Sequence, residues 1–250
     1  VGETIKKSQK RGGEILPMQL ATFDLKHLEN VSALIGIDEA GRGPLAGPVS
    51  AAAVYLDKAF YESDWVHKYG TVINDSKQMK ESARERVFEA IQEVRDHLIH
   101  FACHMVFVKD IEKLNILGAT RKAMALCVKE LKSHSGCPFV QEFEGDDWLF
   151  RKEGDNSIAR ILVDGKPLKP FPYAHTAIVK GDGKSLAIAM ASIIAKVTRD
   201  RYMLKQAKQF PQYGFVSNKG YGTPQHIAAL QSHGPCKLHR LSFLKQILSS

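Results

Sequence analysis

Hydrophobic and polar positions along this chain switch between two periods, and each switch marks an element. Residues 34–38 form a short apolar run, Leu34-Ile35-Gly36-Ile37, ending at Asp38, the length of a buried strand. The next stretch, Gly41-Arg42-Gly43-Pro44-Leu45-Ala46-Gly47-Pro48, is too rich in glycine and proline to be anything but loop. Residues 49–56 return as a strand of small side chains, so strand–loop–strand is the economical reading. Val87, Ile91, Val94 and Leu98 recur at helical spacing through 81–97, and residues 102–108 read as a third strand. Asn115 is placed to cap a helix ending near Leu131, with Leu117, Met124 and Val128 among its apolar positions. Residues 158–164 and 176–179 read as further strands. Residues 185–208 form a long helix whose first half is apolar almost all round, the mark of burial against a sheet. Thr223-Pro224 opens another helix and Gly234 stops it. The sum is an α/β fold, a mixed β-sheet flanked by helices, with a helical C-terminal region from about residue 210.

Periodicity vanishes between 133 and 157, where Gly, Pro and acids such as Glu144, Asp146 and Asp147 accumulate. A patternless stretch of that length is expected to be a surface insertion in a single domain spanning 33–250. Residues 1–32 are expected to be a tail and short lead-in, since the first eleven are polar and basic with no apolar secretion signal. No apolar run approaches the roughly 20 residues needed to cross a bilayer. Lys and Arg exceed Asp and Glu by 35 to 27, and that excess favours a polyanionic partner through counterion release. The four cysteines form no CxxC pair, which argues against a disulfide framework and for a reducing cytoplasm.

Carboxylates stand where apolar runs stop: Asp38 and Glu39 after Ile37, Asp164 after Val163, and Asp182 soon after Val179. Strand ends facing a crevice are where α/β sheets build sites. Acids clustered there repel one another and have raised pKa values, a conflict that a hard divalent cation removes. Each acid alone has a plainer reading. An Asp before Gly is ordinarily a turn residue, and Asp182 also suits the N-terminal end of the helix opening at Ser185. Asp38 and Glu39 are adjacent, so along a strand they point to opposite faces, and sharing one site requires the chain to bend. The loop glycines at 41, 43 and 47 miss the GxGxxG spacing of a dinucleotide site, and Pro44 blocks its helix. The loop does allow backbone to approach a sugar-phosphate closely, with Arg42 beside it.

Residues 36–49, Gly36-Ile37-Asp38-Glu39-Ala40-Gly41-Arg42-Gly43-Pro44-Leu45-Ala46-Gly47-Pro48-Val49, resemble the opening signature of bacterial ribonuclease HII. The resemblance continues in order through Asp75-Ser76-Lys77, Leu114-Asn115-Ile116-Leu117, Val163-Asp164-Gly165 and Val179-Lys180-Gly181-Asp182. It runs on through Ala191-Ser192-Ile193-Ile194-Ala195-Lys196-Val197-Thr198-Arg199-Asp200, Lys219-Gly220-Tyr221-Gly222-Thr223 and His239-Arg240-Leu241-Ser242-Phe243. It implies an RNase H-like fold and a site of four carboxylates, Asp38, Glu39, Asp164 and Asp182, holding Mn²⁺ or Mg²⁺. The substrates it implies are RNA–DNA hybrid duplexes and DNA containing ribonucleotides, cut by metal-activated water to leave 3′-hydroxyl and 5′-phosphate ends. It further implies that the backbone of Gly41, Arg42 and Gly43 senses the ribose 2′-hydroxyl, that Tyr221 stacks at the RNA-to-DNA junction, and that Lys77 contacts phosphate. A cytoplasmic monomer is expected, without a separate C-terminal binding domain.

Three alternatives share parts of this pattern. Ribonuclease HIII resembles this pattern, but its motif normally lacks the Arg of Gly-Arg-Gly and it carries an extra N-terminal domain. A binding protein that lost its chemistry would not be expected to keep all four acids. A zinc site at Cys236 and His239 lacks two further ligands.

Overall fold

The computed structural model describes residues 16–70, 72–73, 79–133 and 159–248. The Asp75-Ser76-Lys77 motif, the expected phosphate contact Lys77 included, lies outside them, as does all but the first residue of the 133–157 segment.

Ala33–Ala40 (β1), Val49–Asp57 (β2), His100–Val106 (β3), Ala159–Asp164 (β4) and Thr176–Ile178 (β5) form one mixed sheet in the order β3-β2-β1-β4-β5. β1 runs antiparallel to β2, pairing Ala33 with Asp57 through to Ala40 with Ser50, and parallel to β4, pairing Ile37 with Val163. A central strand covered on both faces needs a continuous apolar run rather than alternation, which is what residues 34–37 supply. β5 extends the parallel half, with Asp164 opposite Ile178.

The lead-in to β1 is a helix, Leu16–His27 (α1). Two short helices, Lys58–Tyr61 (α2) and Asp64–Tyr69 (α3), follow β2, capped by Asp57 and Ser63, and Glu81–Glu93 (α4) precedes β3. Val108–Ser133 (α5) covers one face of the sheet, packing Ala119, Ala123, Met124, Cys127 and Val128 over Ile35, Ile37 and Val163. The expected cap at Asn115 appears as a break inside α5. Asn115 has φ 56°, and its Oδ1 accepts the N–H groups of Leu117 and Gly118 at 3.0 and 3.1 Å. Met124 and Val128 are buried as expected; Leu117 is not, because it turns toward a cleft at the sheet's end.

Leu186–Ala207 (α6) covers the other face. Leu186 to Ala195 are all buried, between the sheet on one side and α1 and α4 on the other. Gly36 permits this closeness: a Cβ there would lie 2.2 Å from the Ala187 carbonyl carbon. Asp24 of α1, fully buried, ties the layers together. Its Oδ2 accepts the Tyr61 hydroxyl at 3.0 Å and the Ala187 N–H at 2.9 Å, beside the Ser185 cap of α6.

Phe215–Asn218 (α7), Pro224–His233 (α8) and Leu241–Leu248 (α9) complete the C-terminal region. Thr223 caps α8 and Gly234 ends it, as expected. A third apolar cluster, with Met203, Tyr213, Phe215, Leu230, Leu238 and Leu244, joins this region to Ala46 in the loop between β1 and β2. No helix among the described residues is long and apolar enough to cross a membrane.

Candidate active site

Asp38 sits near the C-terminal end of β1 on the face covered by α6, almost wholly buried. Its Oδ1 accepts the Glu39 N–H at 2.6 Å, and the Ser192 hydroxyl of α6 donates to it. Burial raises its pKa well above the ordinary value of 3.8, and the charges of Glu39 and Asp164 push it further the same way. Asp164 ends the neighbouring strand, where its Oδ1 accepts the Gly181 N–H at 2.6 Å. Gly181 is closely packed: a Cβ there would lie 2.7 Å from Ile188 Cδ1 and 3.2 Å from Asp164 Oδ1. Asp182 follows in the turn Gly181–Gly183 that leads into α6, also buried.

Glu39 points away from Asp38, as alternation requires, because β1 continues unbent to Ala40. It lines a cleft of 560 Å³ at the end of the sheet, together with Asp164, Arg42, Arg121, Lys166 and Lys169. Arg42 Nη1 donates to Glu39 at 3.0 Å. Asp38, Glu39 and Asp164 therefore share one electrostatic neighbourhood around the tip of β1, and Asp182 is the residue next after the Gly181 whose N–H Asp164 holds. Asp38, Glu39 and Asp164 are each turned to a local donor. Among the described residues, no three His, Cys, Asp or Glu side chains converge closely enough to form a ready-made metal cage.

Two fully buried arginines hold the loop that follows β1. Arg199 of α6 donates to the carbonyls of Ala46, Pro48 and Lys219 at 3.0, 2.9 and 2.9 Å. Arg240 donates to those of Gly41, Arg42 and Gly47 at 2.6–3.0 Å. Both residues stand inside the family motifs, yet no local pattern in the sequence assigns either a role. Nothing local marked Arg199, which falls in the polar second half of α6 beside Lys196, Asp200 and Arg201; its burial is sustained because every donor nitrogen is bonded.

Tyr221 is 42% exposed, and its ring lies 5.7 Å from Lys196 Nζ and 5.8 Å from the Arg199 guanidinium. A relay of buried rings supports its backbone. The Cys236 N–H can only donate, so His239 Nδ1 accepts it at 2.9 Å. His239 then carries its proton on Nε2 and donates to His226 Nε2 at 3.0 Å, and His226 Nδ1 donates to the Tyr221 carbonyl at 2.8 Å. Burial lowers the pKa of both rings, that of His239 to about 4. Both nitrogens of His239 are thus engaged within the protein, which removes the zinc alternative at Cys236 and His239.

A family model described as Ribonuclease HII matches residues 35–246. Ribonuclease HII of Caldanaerobacter subterraneus subsp. tengcongensis is 40% identical over 220 residues, covering 88% of this chain and 77% of that one. Among solved structures, ribonuclease H2 of Pyrococcus horikoshii OT3 aligns with a TM-score of 0.60 at 23% identity, over 87% of this chain and 97% of its own. Bst-RNase HIII in complex with Mn²⁺ aligns with a TM-score of 0.57 at 17% identity, over 98% and 76%. At such identities the two structures speak for the fold alone; the family is distinguished by sequence.

Proposed function

The chain belongs to the ribonuclease HII family, and we propose that Asp38, Glu39, Asp164 and Asp182 are the carboxylates with which it cuts. It is a ribonuclease H, a divalent-metal-dependent endonuclease acting on the RNA strand of RNA–DNA hybrids. The observation that carries the residue assignment is Asp38, buried between α6 and the sheet while Glu39 and Asp164 raise its pKa. That conflict suits a hard cation with oxygen ligands, the chemistry of these four side chains and of the Mn²⁺ bound by the fold neighbour Bst-RNase HIII. When bound, Mg²⁺ or Mn²⁺ supplies an activated water and offsets the charge growing on phosphate.

The remaining roles join position in the fold to what the family resemblance implies. Arg121, Lys166 and Lys169 give the cleft a basic rim for the sugar-phosphate backbone, and the family resemblance adds Lys77, outside the described residues, as a phosphate contact. The backbone of Gly41, Arg42 and Gly43 reads the 2′-hydroxyl, and the half-exposed Tyr221 stacks at the junction, so ribonucleotides embedded in DNA are cut as well. The ends left are 3′-hydroxyl and 5′-phosphate. A 2′-hydroxyl attack would want a pair of acid–base groups at the scissile bond, whereas His226 and His239 are buried with their nitrogens spent on each other and the backbone. Action as a monomer is part of the same reading. The free thiols Cys103, Cys127 and Cys236 suit the cytoplasm.

The test is incubation with a duplex containing one ribonucleotide, with and without Mg²⁺ or Mn²⁺, followed by mapping of the product ends. Metal-dependent cleavage leaving a 3′-hydroxyl and a 5′-phosphate is expected. Cyclic phosphate ends, or undiminished cleavage in chelator, would overturn the reading.

A further inference from the structure

The Gly41-Arg42-Gly43 stretch holds two glycines, and the fold needs only the first. A Cβ on Gly41 would lie 2.1 Å from Arg199 Nε, and φ there is +91°. A Cβ on Gly43 would meet nothing within 4 Å. The space over Gly43 is open, and its backbone faces solvent.

Arg240 decides which way that backbone faces. Its Nη2 donates to the Gly41 carbonyl at 2.6 Å and its Nη1 to the Arg42 carbonyl at 3.0 Å, while Nε and Nη2 both reach Gly47 O. In a trans peptide the N–H points opposite to the C=O. Drawing the carbonyls of Gly41 and Arg42 inward therefore turns the N–H groups of Arg42 and Gly43 outward, side by side. Among the described residues neither N–H meets a protein acceptor. Two successive outward N–H groups make a concavity for an oxygen ligand. Only a planar fork with several donors can hold three carbonyls at once; a lysine ammonium would be a single mobile point charge.

We propose that Arg240 is a positioning residue for ribose recognition: it presents the Arg42 and Gly43 N–H groups to the 2′-hydroxyl oxygen without touching substrate itself. The inference rests on the reading that this loop senses ribose. A deoxyribose would leave both N–H groups desolvated and unpaired, which is how a site built to bind a hydroxyl rejects the analogue lacking it.

The experiment compares Kd for two duplexes differing by one 2′-hydroxyl, with Ca²⁺ in place of the catalytic ion. The wild type should prefer the ribonucleotide duplex by about tenfold or more. In Arg240→Lys and Arg240→Gln, still unfolding cooperatively, that ratio should fall toward one, while Kd for the all-DNA duplex changes by less than about threefold because phosphate contacts persist. A wild-type ratio near one would refute the loop's reading of ribose, and the inference with it. A wild-type preference kept intact in both variants would overturn the role of Arg240 alone. Failure of both variants to fold would also overturn it, making Arg240 a prop of the whole fold.

Discussion

Raising the pH from about 4.5 to 7.5 should weaken this fold through one carboxyl group, Asp24. Its side chain is sealed between α1, α2 and the start of α6, and burial raises its pKa from 3.8 to about 6. Ser185, the Ala187 N–H, Tyr61 and His27 only soften that rise. Oδ1 takes no full hydrogen bond, so the neutral acid suits the site better than the anion. The sign follows. A folded pKa above the unfolded one gives stability that is complete below about pH 4 and lost as pH rises through about 6. The difference between 3.8 and about 6 is worth about 3 kcal/mol, an upper bound for so buried a group. Asp24→Asn keeps the shape and an acceptor for Tyr61 and Ala187, and it fixes the site as neutral. Melting curves of the two proteins across this range isolate the group, because every other titration is common to both. The variant should gain on the wild type as pH rises, by up to about 6–12 °C in Tm at neutral pH. A difference in Tm that stays constant with pH would refute the reasoning.

Asp38→Asn and Asp164→Asn should each fold and bind duplex yet lose cleavage by orders of magnitude; wild-type rates with added Mg²⁺ or Mn²⁺ would sink the carboxylate assignment. Tyr221→Ala should slow cleavage at a single embedded ribonucleotide by about ten- to a hundredfold at matched salt, with less damage on long hybrids. Equal losses on both substrates would make Tyr221 a general binding residue. Gly41→Ala should lower Tm sharply, because its methyl would collide with Arg199, whereas Gly43→Ala should melt like the wild type. The two are told apart by thermal unfolding alone.

The sheet and its covering helices were legible because their causes are local. Leu34 to Ile37 announce a strand buried on both faces, and the all-apolar start of α6 announces a helix covered on every side. The caps at Ser185, Thr223 and Asn115 act within three residues of themselves. Candidate carboxylates were legible as acids that stop apolar runs. The bend thought necessary to bring Asp38 and Glu39 together does not occur; they share a field from opposite faces of one strand end. What stayed hidden depends on distant partners. The first turns of α5, ahead of Asn115, follow no apolar period that stands out, and α1 earns its place by setting Asp24 against α6. Arg199, Arg240, His226 and His239 bond groups far along the chain, and no spacing rule points there.

The Gly41 carbonyl and the Arg240 guanidinium are 199 residues apart in sequence. Protein synthesis runs in one direction, so the two meet late. A ribosome delivers all four candidate carboxylates, and the strands and turn that carry them, while the loop beside Asp38 still lacks the fork that orients it. On the proposed reading, the nascent chain during that interval holds the candidate carboxylates and the sugar-reading loop, but not yet the residue that orients the loop. Emergence of Arg240, rather than folding of the sheet, would on that reading set the moment at which selectivity appears. A chain stalled before residue 240 should show this directly, as faster hydrogen exchange at the amides of Leu45, Ala46 and Gly47, which the folded loop bonds to Gly220 and Leu238, than in the full chain.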